Sequence, residues 1–210
     1  MKVRGAPAIA IVAALSLAVE IEKTKFKSAT EVVDFVDQKL EFLKTSRPTA
    51  VNLFEAAARL SAKVHGSFAA QTSAQDLVDL VVQFASDMLE QDVSDNKNIG
   101  KHGADFILDS AQSDQVCVLT HCNTGSLATA GYGTALGIIR DLHKRGKLER
   151  AFCTETRPYN QGARLTAYEL VYENMPSTMV CDNMVSALLK TGRISAIVVG
   201  ADRCVPVILI

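Results

Sequence analysis

Val116-Cys117-Val118-Leu119-Thr120-His121-Cys122-Asn123-Thr124-Gly125 joins a run of apolar and β-branched side chains to a polar turn that contains glycine. The run is short and rich in residues that favour a pleated surface, so it reads as a buried strand. Three runs downstream repeat the pattern: Ala151-Phe152-Cys153-Thr154, Thr178-Met179-Val180-Cys181, and Ile194-Ser195-Ala196-Ile197-Val198-Val199. Helical stretches lie between them, around 127–145, 161–173 and 183–191. Strands separated by helices of this length predict right-handed crossovers and a parallel, doubly wound sheet. Ligands of such sheets bind beyond the carboxyl ends of the strands. That rule singles out four segments: 120–125, Glu155-Thr156-Arg157-Pro158, Asp182-Asn183, and Gly200-Ala201-Asp202-Arg203.

Upstream the period is different. From residue 7 to about 111, apolar residues recur at three- and four-residue spacings, as in Val32-Val33-Phe35-Val36-Leu40, Leu53-Ala56-Ala57-Leu60 and Leu77-Leu80-Val81-Phe84-Met88. This spacing predicts helix after helix. Thr30 with Glu31, and Ser73 ahead of Asp76, are expected caps, while Gly66-Ser67 and Asn96 to Gly103 are expected breaks. The fold class is therefore α/β, with a helical N-terminal domain over 1–112 and a parallel-sheet domain over 113–210.

With 22 Lys and Arg against 23 Asp and Glu, the net charge is −1, and no global field draws nucleic acid or an anionic membrane. Any anionic ligand must be held locally. The five cysteines form no CxxC pair and have no histidine at metal-ligand spacing, which argues for a reducing compartment and against a metal. Lys2 and Arg4 before the apolar run Ala8 to Ile21 imitate a signal peptide. Pro7 suits a first helical turn, and Glu20, Glu22 and Lys23 stand where small cleavage-site residues belong, so a buried helix is the better reading. The run is also shorter than the roughly 20 residues that cross a bilayer.

Asn123 to Ser126 reads as a helix start with free N–H groups, a seat for phosphate. A thiol just ahead of such a start is a candidate acid, base or nucleophile, although Cys122 could equally fill space at a strand end. His121 is expected to point away from Cys122, because neighbours on an extended strand face opposite sides. Asp202, at the end of the fourth strand, is poised for proton transfer, or else caps a helix or pairs with Arg203 or Arg157. Arg4, Arg47 and Arg157 each stand at a turn into a helix, where a guanidinium can grip phosphate.

Taken together, five segments resemble the methylthioribose-1-phosphate isomerase family, in order along the chain. They are Arg4-Gly5-Ala6-Pro7-Ala8-Ile9, Arg47-Pro48-Thr49-Ala50-Val51-Asn52, Leu119 to Gly125, Glu155-Thr156-Arg157-Pro158 through Gln161-Gly162-Ala163-Arg164-Leu165-Thr166, and Gly200-Ala201-Asp202-Arg203. The resemblance implies a Rossmann-like second domain, a cytoplasmic homodimer with a nuclear pool left open, and no cofactor, metal, nucleic acid or membrane. It implies catalysis by Cys122 and Asp202 and substrate contacts from Arg4, Gly5, Ala6, Arg47 and Gln161. The implied reaction turns the sugar phosphate 5-methylthioribose 1-phosphate into its ketose in methionine salvage. Phosphate blocks the anomeric oxygen, so acid-base groups must open the ring and move hydrogen between C1 and C2.

Two other readings stay open: a regulatory subunit of the translation-initiation exchange factor 2B type, and a ribose-1,5-bisphosphate isomerase. The resemblance also leads one to expect residues ahead of Arg4 and, after Asp202-Arg203, an Asn-Lys contact and further strands and helices. Here the apolar stretch Cys204 to Ile210 follows instead. The expectation is therefore of a chain truncated at both ends, weakly active or inactive and prone to stick through a bare strand edge.

Overall fold

The computed structural model of the protein describes residues 3–48, 51–69, 71–111 and 113–201. Asp202 and the tail beyond it, like Thr49 and Ala50 in the second arginine segment, lie outside the described residues. Four helices come first: α1 (Ala6–Lys23), α2 (Ala29–Lys44), α3 (Val51–Ser67) and α4 (Ala74–Ser110). The order then becomes β1 (Val116–Thr120), α5 (Ala135–Lys144), β2 (Leu148–Thr154), α6 (Ala167–Tyr172), β3 (Ser177–Val180), α7 (Val185–Lys190) and β4 (Ala196–Val198). The helical half and the strand-helix half are those expected.

Two compact units divide at Asp92/Val93, inside α4. The change of secondary structure falls later, between Ser110 and Val116, near the sequence boundary at 112/113. The difference arises because the last turns of α4 belong with the sheet, where Ala104 and Ile107 are buried among Val116, Ile139 and Leu142.

In the first unit, α1 carries Pro7 in its first turn and buries Ala8, Ala10, Ile11, Ala14, Leu17, Ala18 and Ile21. It ends where Thr24 turns extended. Leu17 and Ile21 meet Val32, Val36, Leu60, Val64, Leu77 and Val81 in one core. The cap of α2 is Ser28 rather than Thr30, its hydroxyl accepting from the Glu31 N–H while the Glu31 carboxylate accepts from the Lys27 N–H. The reason is local: Ser28 is extended, whereas Thr30 is already helical. Ser73 and Asp76 form the expected reciprocal cap of α4, each side chain accepting from the other's N–H at 3.1 and 3.0 Å.

The break expected from Asn96 to Gly103 is absent, since α4 runs through it. Gly100 and Gly103 serve packing instead. A Cβ at Gly100 would lie 2.8 Å from the Tyr132 ring and 3.0 Å from the Gly137 carbonyl, and one at Gly103 would lie 2.5 Å from Ile138.

Among the described residues four strands form one parallel sheet, in the order β3-β2-β1-β4. Strand β1 is central and fully buried. Its alternate residues face opposite layers: Val116 and Val118 join Leu136, Ile139, Leu142 and Leu170 on one side, while Cys117 and Leu119 join Phe152 and Val180 on the other. No helix among the described residues is long and apolar enough to cross a membrane.

The helix expected around 127–145 is shorter than predicted. A single 3₁₀ turn spans Ser126–Ala128, and α5 begins only at Ala135. Tyr132 and Gly133 intervene at positive φ, 72° and 83°. Gly133 lies so close to the first loop that a Cβ there would approach Gly125 to 2.5 Å.

Candidate functional site

From β1 the chain steps outward to β2 and β3 and then returns to the other side of β1 for β4. The topological switch point, where parallel sheets open a crevice, therefore lies between β1 and β4 at their carboxyl ends. The loop after β1 carries Cys122 near its start, on the side of β2, and at Thr124 it comes close to the end of β4. A Cβ at Gly200 would stand 3.4 Å from Thr134 and 3.7 Å from Thr124.

Cys122 is partly buried and holds a left-handed backbone, with φ 67°. Both polar groups of its peptide are taken by threonine side chains. Its N–H donates to Thr156 Oγ1 at 2.9 Å, and its carbonyl accepts from the Thr166 hydroxyl. Thr156 is itself left-handed, with φ 60°, and its hydroxyl lies 3.0 Å from that of Thr154. Asp182, following β3, fixes this second loop by accepting from the N–H groups of Thr156 at 2.9 Å and Arg157 at 2.8 Å. Those bonds, that from Arg157 foremost, hold the Asp182 carboxyl below the usual carboxylate range.

Of the phosphate seat expected at Asn123 to Ser126, the Ser126 end is engaged from within the protein. The buried Glu169 carboxylate accepts from the N–H groups of Ser126 at 2.9 Å and Leu127 at 3.1 Å. Arg140, equally buried on α5, pairs with Glu169 and Glu173 and donates to the Tyr132 carbonyl. Burial opposes the Arg140 charge, but its bonds to Glu173 and Glu169 outweigh that and raise its pKa. This turn does not open an α-helix, and its two anion-facing amides already have an anion.

The His121 ring bonds Thr154 Oγ1 rather than the Cys122 thiol. Cys117 on β1 and Cys153 on β2 are buried in the cores on opposite faces of the sheet, and burial pushes the Cys153 thiol up to about 11. Gln161 starts the helical segment that follows the Thr156–Asn160 turn and is partly buried, next to Gly162. A Cβ at Gly162 would fall 1.7 Å from the Thr154 carbonyl, so that segment lies directly on the end of β2. Asn123 Oδ1 and Asn160 Oδ1 are buried and have no hydrogen-bond partner among the described residues. Among the described residues, no group of three or more His, Cys, Asp or Glu side chains converges in the manner of a metal site.

The other expected contacts belong to the first unit. Gly5, with φ 90°, caps α1, and its carbonyl accepts from the Ile9 N–H at 3.0 Å. Arg4 and Ala6 flank it, both partly buried. Arg47 lines a cavity of about 250 Å³ with Val3, Ile9, Val12, Ala13 and Leu43. Sequence reasoning did not reach the threonine grip on Cys122, Glu169 or Arg140. The only trace of them is a pair of polar residues, Thr154 and Thr156, just after the apolar run Ala151-Phe152-Cys153.

Residues 2–206 match the initiation factor 2 subunit family. The chain belongs to this family. It is 57% identical over 203 residues to the methylthioribose-1-phosphate isomerase of Nematostella vectensis and 55% identical over 205 residues to that of Zea mays. Each alignment takes in 97% of this chain but only 57% and 56% of the relative, so the chain spans about half the length of the curated relatives it matches. The fold is similar to the crystal structure of 5-methylthioribose 1-phosphate isomerase from Pyrococcus horikoshii OT3, with a TM-score of 0.85 and 39% identity over 97% of this chain and 55% of that one. It is also similar to the crystal structure of translation initiation factor eIF-2B, subunit delta, from A. fulgidus, with a TM-score of 0.77 and 36% identity over 96% of this chain and 56% of that one.

Proposed function

We propose that this family member acts as a methylthioribose-1-phosphate isomerase, converting 5-methylthioribose 1-phosphate to 5-methylthioribulose 1-phosphate in methionine salvage. One observation carries the reading: 57% identity over nearly the whole chain to a relative of that name. The site is in keeping with it, since Cys122 stands partly buried in the loop at the carboxyl end of the central strand of a parallel sheet, where a thiol can exchange protons with a bound sugar. Cys122 and Asp202 are assigned to opening the ring and moving hydrogen between C1 and C2. Arg4, Gly5, Ala6, Arg47 and Gln161 are assigned to holding the substrate. With Ser126 and Leu127 engaged by Glu169, the phosphate falls to the arginines. The unpaired acceptors on Asn123 and Asn160 suit the ribose hydroxyls. We further propose a cytoplasmic homodimer, with some of it in the nucleus.

The test is turnover of 5-methylthioribose 1-phosphate beside ribose 1,5-bisphosphate. In a version spanning the full length of the curated relatives, Cys122→Ser and Asp202→Asn should each abolish turnover while leaving affinity within about tenfold, and Arg47→Ala should weaken binding by roughly one to two decades. If Cys122→Ser kept more than about a tenth of the parent rate, a barrier change under 1.4 kcal/mol, the thiol would be a packing residue.

A second reading rests on the A. fulgidus structure, whose 36% identity is near that of the isomerase structure. A regulatory subunit would bind partner subunits and turn over neither sugar.

A further inference from the structure

The left-handed backbone of Cys122 needs an explanation, because a residue with a side chain adopts φ 67° only where its surroundings dictate it. Those surroundings are two hydroxyls. Thr156 takes the Cys122 N–H and Thr166 donates to the Cys122 carbonyl, so the peptide is gripped at both ends of the residue. Thr156 is 7% exposed and Thr166 is fully buried. The grip is itself braced. Thr156 is fixed by Asp182 through its own N–H, and Glu169, three residues past Thr166, holds the far end of the loop at Ser126 and Leu127. One stretch of chain, from Thr156 to Glu169, thus meets the cysteine loop before, at and after the turn.

We infer that Thr156 and Thr166 are positioning residues, which force Cys122 into its left-handed conformation and so set the direction of its thiol. The inference rests on the functional reading above for its catalytic consequence, though not for its geometry. Without the hydroxyls, Cys122 is free to return to an ordinary negative φ, which swings Cβ and the sulfur to a different side of the loop. Substrate holding is assigned to other residues, so the loss should fall on the chemical step.

The experiment compares Thr156→Val and Thr166→Val, which keep the shape and lose the hydroxyl, with Thr156→Ser and Thr166→Ser, which keep the hydroxyl. Three quantities are read: kcat and KM for 5-methylthioribose 1-phosphate, the rate of Cys122 carbamidomethylation by iodoacetamide resolved by mass spectrometry, and the melting temperature. The valine variants should lose about tenfold to a hundredfold in kcat, the usual cost of a displaced reacting group, with KM within about threefold. Their Cys122 labelling rate should shift by at least about threefold while that of the exposed Cys181 stays put. The serine variants should stay near the parent in both respects. Equal kcat and equal labelling in the valine variants would overturn the inference, as would serine variants as impaired as the valine ones, since the methyl group and not the hydroxyl would then matter. If the parent turns over no sugar phosphate, the functional reading falls, and the labelling rates still decide whether the threonines set the thiol. A valine variant that does not fold leaves the decision to the other threonine and to the serine pair.

Discussion

Replacing Arg140 with methionine removes the charge at the centre of the second unit while keeping most of the side chain's length. Arg140 is 4% exposed; its Nε lies 2.8 Å from both Glu173 oxygens, and its two terminal nitrogens serve Glu169, Glu173 and the Tyr132 carbonyl. Glu169 is also 4% exposed, and without Arg140 it keeps its two N–H bonds but loses its counter-charge. Breaking one side of a buried pair costs about 3–5 kcal/mol. The lower end applies here, because Glu173 is 31% exposed at its side chain and can turn to water. At about 2–4 °C per kcal/mol for a chain of this size, a loss near 3 kcal/mol lowers the melting temperature by roughly 6–12 °C. Scanning calorimetry measures it and resolves the two units should they melt separately. The pH dependence has a definite sign as well. The raised Arg140 pKa means its contribution is complete below the ordinary arginine range and fades only above it, so the difference from the parent should be flat through neutral and mildly alkaline pH. A cycle with Glu169→Gln should give a coupling of about 1–3 kcal/mol, because the second removal relieves what the first stranded. A melting shift under about 2 °C, or a cycle additive within about 0.5 kcal/mol, would refute the claim that this ion cluster holds the cysteine loop to α5 and α6.

Asp182 has a depressed pKa, so its stabilisation is present above its ordinary 3.8 and is lost as pH falls through the lower folded value. The parent should therefore lose urea resistance on acidification below about pH 4 more steeply than Asp182→Asn does; identical acid limbs would mean that the Thr156 and Arg157 N–H bonds do not matter. Gly162→Ala would drive a Cβ to 1.7 Å from the Thr154 carbonyl, and a destabilisation above about 2 kcal/mol is expected from calorimetry; a loss below about 0.5 kcal/mol would show that the turn yields freely. Cys153, pushed up to about 11 by burial, should resist iodoacetamide at pH 8 in the folded chain while the exposed Cys181 is labelled, and comparable labelling of both would contradict its buried position on β2.

Much of the fold can be read from residue period alone. Val116 to Thr120 is apolar at successive positions because it is the central strand, covered on both faces, and that condition leaves a continuous run rather than an alternating one. The misreadings come from signals that two different structures share. Gly100 and Gly103 look like a break when only local propensity is weighed, but here small residues let a helix lie close to Tyr132, Gly137 and Ile138. Thr30 and Ser28 are both good caps, and only the backbone angle at Ser28 chooses between them.

The same ambiguity explains why the site was half legible. Asn123, Thr124 and Ser126 are the residue types that open helices, and a strand-turn-helix with a free N-terminus was the natural inference from them. Those residue types also suit an irregular loop, and what decides between the two outcomes lies 42 and 43 residues downstream, in a carboxylate that reaches Leu127 and Ser126. Local pattern cannot register a partner at that distance. Once Glu169 is in place, the N–H groups of Ser126 and Leu127 are engaged from within the protein, and the start of the same loop is held at Cys122 by Thr156 and Thr166. We propose that anion holding falls to Arg4 and Arg47, and that the loops after β1 and β2 orient the Cys122 thiol. That separates holding from reacting along the chain, which is why a change at Arg47 should register first in affinity and a change at Thr166 first in rate.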